Sequence, residues 1–248
     1  DHYIGKNKVF CSLLGIAETA LNDFPDHLFT LGVKPTRAET GYGYICRGSE
    51  LTSFDGVSVH SVEAFTEKPD LKRAKAYTDS GNYLWNSNMF VWKASTVLDL
   101  FKRYEPDIYA GLMRIADAVG GNHETDVIAH EYPKLKQIAV DNAIIERAKN
   151  VATIEADIEW GDIGSWAALT DVLPTDTSGN LFSGEVVSIA SNNSTVYAAP
   201  EKIVALIGVD DLVVVDTEDA LLVCRKEDAQ RVREVIDKIQ SDGKGSCI

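Results

Sequence analysis

Phe65-Thr66-Glu67-Lys68-Pro69, and then Tyr83-Leu84-Trp85-Asn86-Ser87-Asn88-Met89-Phe90-Val91-Trp92, decide how the rest of the chain is read. The first piece is an apolar strand that delivers a Glu-Lys pair into a turn stopped by Pro69. Helical spacing follows from Leu71 to Thr78, and the second strand interrupts its aromatics with Asn86-Ser87-Asn88. A strand, helix and strand in this order indicate an α/β sheet, and in open α/β sheets ligands collect at strand ends. Glu67, Lys68 and Asn86 can then line one cleft. A carboxylate and a carboxamide suit hydroxyls and an ammonium suits phosphate, so the combination fits a phosphorylated polyol.

Each piece also has a structural explanation. Glu-Lys-Pro at a strand end is ordinary turn chemistry. Asn and Ser inside an apolar strand must find partners or lose free energy to desolvation. They can do so as a β-bulge whose side chains cap neighbouring backbone, or by meeting hydroxyls of a ligand. Both readings stand at this point.

Working outward, Lys8–Leu21 carries helical apolar spacing, Leu28–Val33 reads as a buried strand, and Gly41-Tyr42-Gly43-Tyr44-Ile45 opens another. Asp55-Gly56 turns into the strand Val57–Phe65. Helices are expected over Ser95–Phe101, with Ser95 as N-cap, over Ile108–Val119 and over Val140–Ala148. Asp141, at the start of the last, reads first as a dipole-stabilising residue and Glu146 as a solvent-face charge. Val151–Ile158 is a strand. Trp160-Gly161-Asp162-Ile163-Gly164-Ser165-Trp166 then sets Asp162 at a strand's carboxyl end, with Ser165 capping a helix over Trp166–Val172. An Asp so placed suits Mg²⁺ shared with substrate phosphates, and Asp1 is a possible second carboxylate.

Leu173–Asn180 has linker composition. Beyond it, short β-rich runs at Gly184–Ile189, Thr195–Ala199, Ile203–Ile207, Leu212–Val215 and Ala220–Cys224 predict a small β-helix or ribbon, closed by a charged helix over Glu227–Ile239. The expected division is residues 1–173 for the α/β part and 180–248 for the β module.

Composition narrows the function. Twenty-four basic against 38 acidic side chains give a net charge of −14, which argues against nucleic acid or an anionic membrane surface as partner. An anionic substrate therefore needs local cations. Cys11, Cys46, Cys224 and Cys247 form no Cys-x-x-Cys pair, so reduced thiols in a cytoplasmic protein are expected. Gly120-Gly121 lacks the flanks of a phosphate loop. No Ser-His-Asp set or activated Cys stands out, so covalent catalysis is not expected. The chain begins at Asp1 without Met, as if cut from a longer sequence.

Asp1-His2-Tyr3-Ile4, Lys34–Ile45, Phe65–Pro69, Leu84–Phe90, Trp160–Trp166 and the segment Val213–Cys224, taken in this order, resemble the mannose-1-phosphate guanylyltransferases of the sugar-phosphate nucleotidyltransferase family. The resemblance implies a Rossmann-like α/β domain with a left-handed β-helical tail. It implies transfer from GTP to mannose 1-phosphate, giving GDP-mannose and pyrophosphate. Asp1 and Asp162 would hold Mg²⁺, Lys68 the phosphate, and Gly43, Glu67, Asn86 and Asp141 the sugar. The alternatives are another hexose 1-phosphate or nucleotide, or a non-catalytic sugar-phosphate-binding subunit. The β tail and its helix hint at a homodimer.

This chain departs from the family pattern at Asn88, where Gly is usual; Asn is the next most tolerant of positive φ, so the turn is expected to survive. The family's Gly-rich nucleotide signature would precede Asp1. The chain as given is therefore expected not to bind GTP productively.

Overall fold

The computed structural model describes residues 2–243. The chain divides into two compact units: Gly5–Ile158, and the described residues of 1–4 and 159–248. An α/β body precedes a β-helix-like module, as the sequence pattern indicates.

The second unit takes β1 (His2–Ile4); the first begins with α1 (Asn7–Asp23), which buries Leu13, Ile16, Ala17, Ala20 and Leu21 on one stripe. Five strands follow in this unit: β2 (Leu28–Val33), β3 (Tyr44–Phe54), β4 (Val57–Thr66), β5 (Tyr83–Val91) and β6 (Val151–Glu155). Their hydrogen-bonded order, β2-β5-β3-β4-β6, closes on itself, because β6 pairs parallel to β2 and antiparallel to β4. An open sheet is the simpler expectation from the pattern. Here the long β3–β4 hairpin shifts register three times between Cys46 and Thr52, and such irregularities bend strands enough to close a ring. The parallel pair β2–β6 is buried along nearly its whole length, in keeping with its continuous apolar run.

α2 (Leu71–Ser80) starts where Asp70 accepts the Arg73 amide at 2.8 Å and stops at Gly81, φ +70°. α3 (Ala94–Tyr104), α4 (Pro106–Ala116) and α5 (Glu124–Glu131) complete the unit. Ser95 does not cap α3: the helix starts one residue earlier, with Lys93 at the cap position and no side-chain bond there. α5 was not legible in the sequence, because its mostly polar residues carry no apolar stripe and none of them is buried. Val140–Ala148 forms a π-type turn at Asp141–Ile145 instead of an α-helix, with the Glu146 amide reaching back to the Asp141 carbonyl at 2.9 Å. Its Ala143, Ile144 and Ile145 pack with Leu28 and Val151 into one cluster.

In the second unit β1 pairs antiparallel with β7 (Trp160–Asp162). Ser165 occupies the cap position of the following turn, Trp166–Asp171, but makes no capping bond, and that turn is 3₁₀ instead of α. The linker-like stretch is an ordered loop: the Asp176 carboxylate accepts the amides of Ser178 and Asn180 and the Asn180 side chain. Beyond it run β8 (Leu181–Ser183), β9 (Glu185–Ile189), β10 (Thr195–Tyr197), β11 (Ile203–Ile207), β12 (Leu212–Asp216) and β13 (Leu221–Arg225). β8, β10 and β12 stack in parallel, as do β9 and β11, and β13 closes antiparallel on β12. Corner residues repeat the stacking at a spacing of 18: Asn192 donates to Asp210, the Val209 amide to Ser191 Oγ and the Leu212 amide to Ser194 Oγ. Val196, Leu206 and Val214 fill the interior. After a 3₁₀ turn, α6 (Val232–Ser241) follows.

Candidate functional site

The body brings Gly43, Glu67, Lys68, Asn86 and Asp141 together. Gly43 precedes β3, and its carbonyl accepts the Asn86 amide at 2.8 Å. A Cβ on Gly43 would lie 2.6 Å from Glu67 Oε2, 3.2 Å from Phe65 Cζ and 3.3 Å from Asn86 Cβ. A side chain here would displace the Glu67 carboxylate and crowd the other two, so glycine keeps the Glu67 side chain where it is, although the Gly43 φ is not positive. Glu67 Oε2 is buried with no hydrogen-bond partner, while Oε1 stands 3.5 Å from Lys68 Nζ. Burial, then the charge of Asp141, raises the Glu67 carboxyl above its ordinary value, with Lys68 opposing. Lys68 is largely exposed and has φ +45°, a backbone state in which non-glycine residues store strain, and such strain concentrates at functional sites.

Asn86 is 3% exposed. Between the pairs Thr30↔Phe90 and Gly32↔Asn86, β5 spends three residues, Ser87 to Met89, against Leu31 alone. The bulge reading of Asn-Ser-Asn therefore holds, and Ser87 Oγ bonds the Leu31 carbonyl at 2.6 Å. Asn86 instead points its amide at Asp141 Oδ1, 3.1 Å away, and takes Thr30 Oγ1 on its oxygen at 3.1 Å. Asn88 adopts φ +55°, so the left-handed turn survives without glycine.

Asp141 is buried in the π-type turn. Burial raises its carboxyl, while hydrogen bonds from its own backbone and from Asn86 pull it down. After the turn, Arg147 donates to Glu105 at 2.6 Å and to the Tyr104 carbonyl at 2.7 Å, and its guanidinium lies over the Tyr104 ring. Single π-type turns are frequent at functional sites. Glu146 is exposed.

Three contributors escaped the sequence reading. Thr30, 1% exposed, holds the Asn86 amide; the signal was a hydroxyl inside the apolar run Leu28-Phe29-Thr30-Leu31, which has to find a partner. Arg37 lies over the Trp85 ring and Tyr42 meets the same ring edge-on at 5.2 Å. These two contacts tie the loop before Gly43 to β5, and loop composition alone does not reveal them.

Asp162 belongs to the other unit, as the last residue of β7, opposite His2. Asp1 lies outside the described residues. The Asp162 carboxylate makes no hydrogen bond or ion pair with any described residue, and a Cβ on the nearby Gly164 would only touch it, at 3.4 Å from Oδ1. A free carboxylate at a strand end fits a hard cation such as Mg²⁺. Among the described residues no three His, Cys, Asp or Glu side chains form a cage, so an ion on Asp162 would draw most of its ligands from water and substrate.

Residues 16–179 match the nucleotidyl transferase model and residues 184–239 the mannose-phosphate isomerase/GMP-like β-helix model. The chain is similar to mannose-1-phosphate guanylyltransferases of Klebsiella pneumoniae and Escherichia coli, each 36% identical over 243 residues, 98% of this chain and 51% of the relative. It thus spans about half the length of the curated relatives it matches. A crystal structure described as mannose-1-phosphate geranyltransferase from Thermus thermophilus superposes with a TM-score of 0.80 at 32% identity, covering 97% of this chain and 68% of that one.

Proposed function

The chain belongs to the nucleotidyl transferase family, and from that premise we propose that the intact protein transfers a guanylyl group from GTP to mannose 1-phosphate, giving GDP-mannose and pyrophosphate. The observation that carries the sugar half is the buried Glu67 oxygen without a partner beside Gly43. A buried carboxylate with spare lone pairs is costly unless a donor arrives, and a sugar hydroxyl is such a donor. The names of the relatives support the guanylyl half.

In this reading an oxygen of the sugar phosphate attacks the α-phosphorus of the nucleotide in line. The new P–O bond forms as the bond to pyrophosphate breaks. Lys68, exposed next to Glu67, neutralises the sugar phosphate and carries no covalent intermediate. Glu67, Asn86 and Asp141 fix the hexose so that its phosphate is presented in one orientation. Gly43 lets the ring approach the backbone. Mg²⁺, held by Asp162 with Asp1, would neutralise the charge that accumulates on the phosphates.

A reducing, cytoplasmic setting belongs to the same reading, supported by the free thiols of Cys11, Cys46 and Cys224. Homodimerisation through the tail is supported by Val187, Ile189, Ile203 and Ile207, all more than half exposed on the paired strands β9 and β11; sedimentation of the protein tests it. The sugar assignment is tested by calorimetric titration of mannose 1-phosphate into the protein and its Glu67→Ala and Lys68→Ala variants. Both substitutions are expected to weaken binding, and unchanged binding in both would sink the assignment.

A further inference from the structure

Cations that lie close together in the body share a carboxylate. Lys136 and Arg147 both pair with Glu105, and Arg114 and Lys134 both pair with Glu131. One further couple has no such partner. Arg103, in the last turn of α3, and Lys149, in the segment ahead of β6, line a hollow of about 210 Å³. The Tyr104 hydroxyl and the Asn150 carboxamide belong to the same lining. Among the described residues none of these four side chains makes a hydrogen bond or ion pair; Arg103 only lies over the Tyr104 ring, 5.2 Å from its centroid. Asp26 also lines the hollow but pairs with neither cation.

All four groups can donate a hydrogen bond, and two are positive. In a chain of net charge −14, two like charges beside one hollow call for the anion that Glu105 and Glu131 supply elsewhere. The carbonyls ending α3 would repel an anion, but the protein engages them. Phe101 accepts the Glu105 amide at 2.8 Å, and Tyr104 accepts Arg147 at 2.7 Å. Leu100 and Ala148 add an apolar wall. The hollow is smaller than clefts that hold drug-sized ligands, so it suits a phosphoryl group and is too small for a nucleotide. Its place is also distinct. The Asn150 carbonyl accepts the amide of Leu28, where β2 starts, whereas Asn86 pairs with Gly32 near the other end of that strand.

We propose that Arg103, Lys149 and Asn150 form a second oxyanion site, for inorganic phosphate or the phosphoryl group of a small ester, separate from the sugar-side cluster. A bound dianion bridges the end of α3 to the segment that leads from the Asp141 turn into β6. The site does not depend on the hexose 1-phosphate reading, which places its phosphate at Lys68.

The test titrates inorganic phosphate, glycerol phosphate and sodium chloride, at matched ionic strength, into the intact ¹⁵N-labelled protein. NMR follows the Arg103 guanidinium and the backbone amides of Lys149 and Asn150. Saturable shifts are expected with both phosphates and not with chloride, and the tighter of the two identifies the free anion or the ester as the better ligand. Arg103→Gln and Lys149→Gln alter exposed side chains, so folding is not at issue. Each is expected to weaken phosphate binding about tenfold, the size of one charge-assisted hydrogen bond. Asp26→Asn removes a repelling charge and is expected to tighten binding about threefold. Lys68→Ala is expected to leave these shifts unchanged, which separates the site from the sugar phosphate. The proposal is overturned if the shifts fail to saturate, if chloride reproduces them, or if neither glutamine variant weakens binding.

Discussion

The body and the tail bury the same kinds of polar side chain to different ends. In the tail, Asn180 donates to Asp176 and to the Ser191 carbonyl and accepts the Ser194 amide, so its amide is consumed by the corner of a coil. In the body, Asn86 is held by Thr30 and Asp141, but its neighbour Glu67 keeps unused capacity. Among the described buried side-chain oxygens without a partner, those of Thr153 and Thr195 are neutral hydroxyls, and Glu67 alone belongs to an ionisable group. A satisfied buried amide stabilises the fold around it. An unsatisfied buried carboxylate destabilises its own fold and marks where a ligand supplies the missing donor.

The sharpest way to break that contrast is Glu67→Ala. It should lower mannose 1-phosphate affinity about 100-fold, the loss of hydrogen bonds to a charged group, and yet raise the melting temperature because an uncompensated carboxylate is gone. A drop in both would make Glu67 a structural residue like Asn180. The converse substitution, Asn180→Ala, strands the Ser194 amide. It should cost the tail about 2 kcal/mol of stability in denaturant titration with ligand affinity unchanged. Lys68→Ala comes next, with about tenfold weaker binding of the sugar phosphate, strongly reduced by salt because the ammonium is exposed. Smaller again is Asp70→Ala, which removes the cap of α2 directly after the Glu67-Lys68 turn. Its expected cost is about 1 kcal/mol, read as a lowered denaturation midpoint.

The pH dependence has a definite sign. Glu67 and Asp141 both titrate above their ordinary values of 4.5 and 3.8 in the folded protein. The folded state thus holds protons that the unfolded chain releases, so these two groups destabilise the protein as pH rises through the window above those values. Hydroxyl binding needs the ionised carboxylates, so affinity should climb across the same window. Glu67→Gln should flatten its share of both trends, which paired titrations of stability and affinity would read.

Periodicity carried the elements well where one stripe or face is apolar: α1, β2, β5 and the tail strands lie close to where the pattern puts them. It failed for α5, which buries no residue, and for Asp141–Ile145, a π-type turn whose Ile144 and Ile145 pack against Leu28 and Val151. Ser95 and Ser165 show that a good capping residue in the right place still need not cap. Glu67 and Lys68 were visible as a motif. What the sequence could not convey was the partner of Asn86: its oxygen is held by Thr30, 56 residues away.

The spacing of 18 between Asn192 and Asp210, and between Ser194 and Leu212, restricts how the tail can change length. A whole added coil would keep every corner side chain over its counterpart and leave inward residues facing inward. An odd number of extra residues within a strand would instead swing Val204 and Leu206 to solvent and drive Ile203 and Ile207 inside. Natural length variation in this module should therefore come as full storeys or as loops bulging from the corners, with the strands between them keeping their residue count.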